Sequence, residues 1–205
     1  MIRIATLLIA ATALAACGGG GSGAPAPLPI TLTGWSFQYS PNMPAQPMPD
    51  GAGGVYFDFP SLDGVHYLLQ PRTSPLTHSI TIRAELVMSA GAQLLGSDGG
   101  GGCPPTPHVV PYFQRAGYQP TAAMQNYAWF AKYIDLLPGV IEATIPFVTD
   151  NWTQVFALHN ATEFAASLSQ PQAAGLVFGA GCFAGHGLYV GGGSARLYIR
   201  AFSAS

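Results

Sequence analysis

The sequence predicts an all-β fold: a two-sheet β-sandwich of the jelly-roll type with one short helix. In most segments after Pro29, apolar and polar side chains alternate with a period of two, as expected for strands with one buried face. Segments rich in Gly and Pro separate these runs, and the 205 residues include 26 Gly and 18 Pro. Hydrophobic residues make up 49% of the chain and charged residues 8%, which indicates a single apolar core rather than a disordered chain. A closed barrel and an immunoglobulin-like sandwich are the alternatives.

Nine segments have the strand pattern, and the expected sandwich domain covers 30–205. The predicted strands are 30–39, 54–59, 65–69, 79–89, 127–136, 140–148, 175–179, 187–190 and 195–202. The stretches 41–54 and 91–107 are predicted loops. The single helical pattern is 162–168, with Thr162 as the expected N-cap.

Two predicted strands place arginines opposite the core. In the fourth strand the apolar positions are Ile80, Ile82, Ala84, Leu86 and Met88. Arg83 and Glu85 lie on its other face, and Arg196, Tyr198 and Arg200 lie on the outer face of the last strand. Guanidinium groups form paired hydrogen bonds with carboxylates and sugar hydroxyls, and a tyrosine ring is a stacking surface. This face is a candidate ligand surface; the alternative is a solvated face with cross-strand ion pairs.

The fifth predicted strand has a second candidate surface. Tyr127 and Trp129 are two residues apart, so on a strand their rings would stand side by side and could stack successive sugars. The alternative is that Trp129 and Phe130 point in opposite directions and each fills part of a core.

The N-terminal residues 1–16 predict an export signal, because a basic residue precedes 13 uncharged residues, too few to cross a membrane. The run ends in Leu14-Ala15-Ala16-Cys17, which resembles the bacterial lipobox. The resemblance implies cleavage before Cys17 and lipid attachment there, followed by a Gly/Pro-rich tether over 17–29. The residue after the cysteine is Gly18 rather than Asp. By similarity to lipoproteins of Gram-negative bacteria, this favours the outer membrane of the cell envelope. The alternative is an ordinary secretory signal with a chance cysteine.

Two cysteines and a histidine flanked by glycines are candidate functional residues in the predicted loops. Cys103 and Cys182 are a candidate disulfide in an oxidising compartment, the alternative being two buried thiols. His186 stands between Gly185 and Gly187, in an expected tight turn near Cys182. It is a candidate contact for a ligand or metal, or else it hydrogen-bonds a neighbouring backbone carbonyl.

Several function classes are disfavoured by the sequence. A net charge of −2 excludes a nucleic-acid partner bound through a basic footprint. The chain lacks the motifs that bind nucleotides, zinc or redox cofactors, so no cofactor is expected. A glycosidase needs two opposed carboxylates, and the sequence marks no such pair. Asp58 and Asp63 flank a turn and are a candidate Ca²⁺ pair.

Aromatic and Gly-rich motifs recur over about 125–202. They include Trp129-Phe130, Leu136-Leu-Pro-Gly139, Thr144-Ile-Pro-Phe147, Asn151-Trp-Thr-Gln-Val155, Gly175-Leu-Val-Phe-Gly179, Gly185-His-Gly187 and Gly191-Gly-Gly-Ser-Ala195. The series resembles a group of uncharacterised secreted bacterial lipoproteins and, more loosely, carbohydrate-binding jelly-roll modules with a galactose-binding-like fold. The first resemblance brings no known activity, and no sugar-contacting residue can be transferred by motif from the second, which is a likeness of fold. We therefore expect a non-catalytic envelope lipoprotein that binds glycan through a strand face or loop rim. The alternatives are a structural lipoprotein that binds an envelope protein and a polysaccharide hydrolase or lyase.

Overall fold

A computed structural model of the chain describes residues 34–96, 103, 105–118, 127–155, 159–182 and 184–205. The predicted export signal, Cys17 and the tether lie outside these residues. Within the described ranges, no helix has the length and apolar character needed to span a membrane.

The described residues form fourteen strands, one α-helix and one 3-10 turn. The strands are β1 (Ser36–Gln38), β2 (Met48–Pro49), β3 (Val55–Asp58), β4 (Tyr67–Pro71), β5 (Ser79–Met88), β6 (Gln93–Gly96), β7 (Pro107–Arg115), β8 (Ala128–Ala131), β9 (Ile134–Asp135), β10 (Gly139–Pro146), β11 (Trp152–Gln154), β12 (Pro171–Ala180), β13 (Leu188–Gly191) and β14 (Ala195–Ala204). The helix is α1 (Ala161–Ser169), and the 3-10 turn covers Thr149–Asn151.

The strands form two main antiparallel sheets. Sheet A has the order β1-β4-β12-β7-β8-β11, with β9 also paired to β7, and sheet B has the order β10-β5-β14-β3-β2. Their central arrays, β4-β12-β7-β8 and β3-β14-β5-β10, contain the eight strands of a jelly roll in its two-Greek-key order. The predicted all-β sandwich of the jelly-roll type with one short helix is therefore confirmed.

The core lies between sheets A and B. Trp35, next to β1, packs edge-on against Phe202 of β14, with ring centroids 5.0 Å apart. Phe57 of β3 meets Phe178 of β12 in the same way at 5.7 Å. The predicted core face of β5 is also observed, because Ile80, Ile82, Ala84 and Leu86 are each at most 1% exposed.

Strand β7 was missed by the sequence analysis, although it lies inside sheet A. Seven consecutive residues, 108–114, are buried. A strand covered on both faces has no need for alternating polarity, so the period-2 pattern disappears. Two prolines, Pro107 and Pro111, also argue against a central strand, because proline has no N–H for the ladder.

Other strand boundaries differ from the prediction. The predicted strand 127–136 is divided into β8 and β9, and 175–179 is only part of β12, which already begins at Pro171. Of the predicted strand 30–39, the described residues contain β1 alone as strand. The short strands β2 and β6 lie in stretches predicted to be loops, and β11 was not predicted.

Helix α1 begins one residue earlier than expected because Asn160, not Thr162, is its N-cap. The Asn160 side-chain oxygen accepts hydrogen bonds from the backbone N–H groups of Thr162 and Glu163, each at 3.1 Å. Glu163 also pairs with Arg115 of β7 at 3.0 Å, which ties the helix to sheet A.

The connections between strands meet at two ends of the sandwich. At one end β6 pairs with β13, and a disulfide joins Cys103 to Cys182. We call this the disulfide end. At the other, α1 lies close to the start of β5: the N–H of Leu76 donates to the carbonyl of Leu168 at 2.8 Å.

Candidate functional site

The outer face of sheet B gathers most of the predicted ligand residues. Arg83, Glu85, Arg196, Tyr198 and Arg200 lie on β5 and β14. Tyr198 stands opposite Glu85 on one neighbouring strand and opposite Tyr56 of β3 on the other. We call this surface the arginine–tyrosine face.

The arginines of this face are bound to carboxylates of the same chain. Arg196 donates from Nε and Nη2 to the two oxygens of Asp58, at 2.7 and 2.8 Å. Arg200 donates to Asp50 at 2.7 Å and to Glu85 at 2.9 Å. Both arginines therefore already have the carboxylate partners that an acidic ligand would supply.

The tyrosine rings of the face are occupied as well. The guanidinium of Arg196 lies 4.3 Å from the ring centroid of Tyr56, and that of Arg200 lies 4.2 Å from the centroid of Tyr198. The structure thus favours the alternative interpretation of this face, a solvated surface held by cross-strand ion pairs.

Asp50, which the sequence analysis did not single out, is the buried acid of this network. Its side chain is 1% exposed and accepts hydrogen bonds from the backbone N–H groups of Ala52 at 2.7 Å and Gly54 at 2.8 Å. Burial alone would raise the pKa of Asp50, but these hydrogen bonds and Arg200 outweigh it and hold the pKa below its usual value. The pKa of Arg200 is raised, first by its hydrogen bond to Glu85.

The predicted aromatic row on the fifth strand is wrong. Trp129 is 0% exposed and packs in the core, with its ring centroid 4.9 Å from that of Phe164. Phe130 packs on the other side of sheet A, as the alternative stated. Tyr127 is half-buried, and the guanidinium of Arg115 lies 4.7 Å from its ring centroid. The row fails because Trp129 belongs to the face of β8 that covers the core.

The two carboxylates of the predicted Ca²⁺ pair are bound by other side chains. The carboxylate of Asp58 is bound by Arg196, whereas that of Asp63 accepts a hydrogen bond from Asn42 at 3.1 Å. In the part of the chain that the structure describes, no group of three or more His, Cys, Asp or Glu side chains could hold a metal ion.

The disulfide end is braced around the loop that contains His186. The predicted partners Cys103 and Cys182 are joined, with Cα atoms 5.3 Å apart. The hydroxyl of Tyr133 donates to the backbone carbonyl of Cys182 at 2.9 Å, and its ring stacks on His108 with centroids 4.0 Å apart. The start of this loop is therefore fixed by one disulfide and one hydrogen bond, whose donor Tyr133 is itself held by stacking on His108.

Three segments of the chain line an open cleft of about 490 Å³ at the disulfide end. We call it the loop-end cleft. Its lining residues are Tyr39, Pro41, Asp63, Gly64, His66, His186, Gly187 and Tyr189. Tyr39 is 56% exposed, although its ring packs edge-to-face with that of Tyr67 at 5.5 Å between centroids. The cleft has the volume of a small-molecule site and combines aromatic side chains with a few polar groups.

The backbone around the cleft is strained. Tyr39 and Asp63, each with φ of 55°, are the two non-glycine residues with positive φ in the described ranges, and both line the cleft. Such conformations cost free energy and cluster at ligand sites. Gly187, with φ of 86°, has to be small: a Cβ there would lie 2.6 Å from Nε2 of His66.

His66 is oriented by two of the other segments. Its Nδ1 lies 2.8 Å from the carbonyl oxygen of Gly185, which can only accept, so this nitrogen carries the proton. Its backbone N–H donates to the hydroxyl of Ser40 at 2.9 Å. His186 is exposed on the opposite loop. The expected tight turn is observed, since φ is 81° at Gly185 and 86° at Gly187.

Beside the cleft, a cluster of buried tyrosines covers the outer face of sheet A. The rings of Tyr67 and Tyr112 meet edge-on at 5.6 Å, and Tyr118 packs against the same cluster. Burial raises the pKa of all three, so their hydroxyls stay protonated. The cluster supports the ring of Tyr39 through Tyr67.

Two of the lining residues were candidates from the sequence: His186 as a contact for a ligand or metal, and Asp63 as one of the Ca²⁺ pair. Tyr39, His66 and Tyr189 were not predicted, because they come from segments far apart in the chain. The available signal was local: aromatic or histidine residues beside turn-forming Gly and Pro.

No protein-family model, curated protein or solved structure matches this chain.

Proposed function

We propose that this chain is a non-catalytic, lipid-anchored protein of the bacterial envelope that binds glycan in the loop-end cleft. The exposed ring of Tyr39 supports the proposal most directly, because it is held at a strained backbone position beside two histidines. A tyrosine ring offers an apolar surface for the C–H face of a sugar, while imidazole and carboxylate groups hydrogen-bond its hydroxyls.

The cleft is a better candidate than the arginine–tyrosine face. There, Arg196 and Arg200 are bound to acids and cover the rings of Tyr56 and Tyr198. A glycan would have to displace these contacts, whereas Tyr39 is 56% exposed.

The charge of the cleft favours uncharged sugars. Asp63 is its one carboxylate, and neither Arg nor Lys occurs among the lining residues. A uronic acid would meet neither Arg nor Lys there, and the carboxylate of Asp63 would repel it.

Binding of neutral and uronic-acid oligosaccharides to the full chain, measured by calorimetry, tests this proposal. We expect neutral glycans to bind and Tyr39→Asn to weaken their binding about tenfold, through loss of the ring. Asn tolerates a positive φ, so this variant keeps the backbone, and Tyr39→Phe should retain most of the affinity. Val148→Ala is the control, since Val148 is 52% exposed and does not line the cleft. Absence of glycan binding, or equal affinities for wild type and Tyr39→Asn, would reject the cleft.

The anchor is a separate part of the proposal. Cys17 would receive the lipid and 17–29 would hold the domain away from the membrane. Metabolic labelling with palmitate should mark the wild-type chain and leave Cys17→Ser unlabelled. If the wild-type chain stays unlabelled, the anchor is rejected in favour of the alternative, an ordinary secretory signal.

A second candidate function is hydrolysis of the bound glycan. Asp63 lines the same cleft as His66 and His186, so an acid and a potential proton carrier share one site. If the chain is an enzyme, incubation with the glycan should produce new reducing ends with time. Asp63→Asn should abolish this turnover, and Asn tolerates the positive φ at position 63, so the backbone there is kept. Binding without product release supports the non-catalytic proposal.

A further inference from the structure

The edges of the sheets differ strongly in length. Sheet A ends in β1 and β11, each of three residues, and sheet B ends on one side in β2, of two residues. The other edge of sheet B is β10, of eight residues. Native proteins shorten or block strand edges because open edges pair with other chains. Strand β10 is therefore the longest of the described edges of these two sheets, and its open part ends before Pro146, which has no N–H to donate.

The backbone groups of β10 that point away from the sheet can be identified. The N–H of Phe147 donates to the carbonyl of His78, just before β5, at 3.0 Å. Pairing with β5 continues through β10 without a register shift, so odd-numbered residues point their backbone groups toward β5. The N–H and C=O groups of Val140, Glu142 and Thr144 consequently point outward, where no described strand pairs with them.

We infer that a second copy of this chain pairs with β10, antiparallel and about a two-fold axis at Ala143, and joins the two B sheets edge to edge. Glu142 of each copy then stands opposite Thr144 of the other, and this pair exchanges two backbone hydrogen bonds on each side of the axis. The two Ala143 residues face each other, and Ile141 faces Ile145.

The residues of β10 favour this occupant and this register. Glu142 is the one charged residue in β10, and a register centred on it would oppose two carboxylates. Centring on Ala143 avoids that repulsion, and Arg83 of the same copy already pairs with Glu142 at 2.8 Å. Ala143 and Ile145 are only partly buried at the margin of the core, so pairing would cover them. The strand is thus complementary to itself under a two-fold rotation.

Sedimentation equilibrium of the full chain in density-matched detergent tests the pairing. We expect a concentration-dependent dimer for wild type. Thr144→Glu should weaken it about tenfold, because two Glu pairs then meet, and Thr144→Lys should strengthen it through opposite charges. Val87→Glu is the matched control: Val87 is 48% exposed on the same sheet face, but in the interior strand β5. Circular dichroism checks that each variant is folded.

A cysteine cross-link tests the two-fold axis independently. The two Ala143 residues form a non-hydrogen-bonded pair, in which Cα atoms lie about 4.5 Å apart, within the range that a disulfide spans. Ala143→Cys should therefore form a covalent dimer under non-reducing conditions, and Val87→Cys should not. A monomer at every concentration would overturn the inference. So would a dimer that is unaffected by charge at position 144, or an Ala143→Cys chain that stays uncross-linked. None of these results depends on glycan binding.

Discussion

The arginine–tyrosine face and the loop-end cleft contain similar residue types but differ in how those residues are satisfied. On the face, Arg196 and Arg200 bind three carboxylates and cover two tyrosine rings. In the cleft, Tyr39 exposes more than half of its surface, and its backbone is held at a φ of 55°.

This difference separates stability from recognition. Polar and aromatic side chains that are paired within the chain stabilise it and leave little for a ligand to bind. A strained backbone with an exposed ring costs stability, and it persists because the surrounding structure enforces it. Residue type alone therefore does not identify a binding surface; the pairing state of each residue is also needed.

Removal of the disulfide should cause the largest loss of stability, and it should also weaken glycan binding in the cleft. In the double variant Cys103→Ser with Cys182→Ser, loss of a cross-link between residues 79 apart should lower the free energy of unfolding by about 4 kcal/mol. Urea denaturation measures this, and calorimetry should show weaker glycan binding, because the loop with His186 loses its brace. Unchanged affinity in the folded double variant would show that the cleft does not depend on the disulfide.

Prediction from sequence succeeded where one face of a strand is buried and the other is solvated. The core face of β5 and the outward position of Arg83 follow from that alternation. It failed for β7 because both of its faces are covered, and hydrophobic periodicity then holds no information.

The candidate site was harder to predict because its contacts join distant segments. The alternation of residues placed Arg196 and Arg200 on one face of a strand. The buried acid that pairs with Arg200 is Asp50, which comes from a loop 150 residues away in the sequence. Tyr39 and His186 meet at one cleft only because the jelly roll brings loops from both sheets to the same end. Trp129 satisfied the local pattern of a sugar-stacking ring and is instead a core residue.

Loss of Arg200 should lower stability by an intermediate amount and should leave glycan binding unchanged. Arg200→Ala leaves the buried carboxylate of Asp50 without its cation and should lower the free energy of unfolding by about 1–2 kcal/mol at pH 7, a value reduced by the exposure of the guanidinium. Because the pKa of Asp50 is lowered in the folded protein, its contribution is present above about pH 4 and is lost as the pH falls further. Denaturation at pH 7 and pH 3 should show the difference between wild type and variant shrinking in acid.

A matched control for this ion pair is available on the same sheet. Arg83→Ala removes an ion pair to Glu142 in which the side chains are 59% and 61% exposed, and it should cost less than about 0.5 kcal/mol. Equal costs for Arg83→Ala and Arg200→Ala would mean that burial of Asp50 contributes nothing. Weakened glycan binding in a folded Arg200→Ala protein would move the binding surface back to the arginine–tyrosine face.

Little net change in stability is expected for Tyr39→Asn, the variant with the strongest effect on binding. Removing the ring loses its edge contact with Tyr67, but Asn adopts positive φ more readily than Tyr, so the two contributions oppose each other. The free energy of unfolding should change by less than about 1 kcal/mol, measured by urea denaturation beside the calorimetric titration. Val148→Ala, at a side chain that is 52% exposed and outside the cleft, provides the baseline for an exposed site. A loss of stability as large as that of Arg200→Ala would make Tyr39 a structural residue, and the contrast between the two regions would then fail.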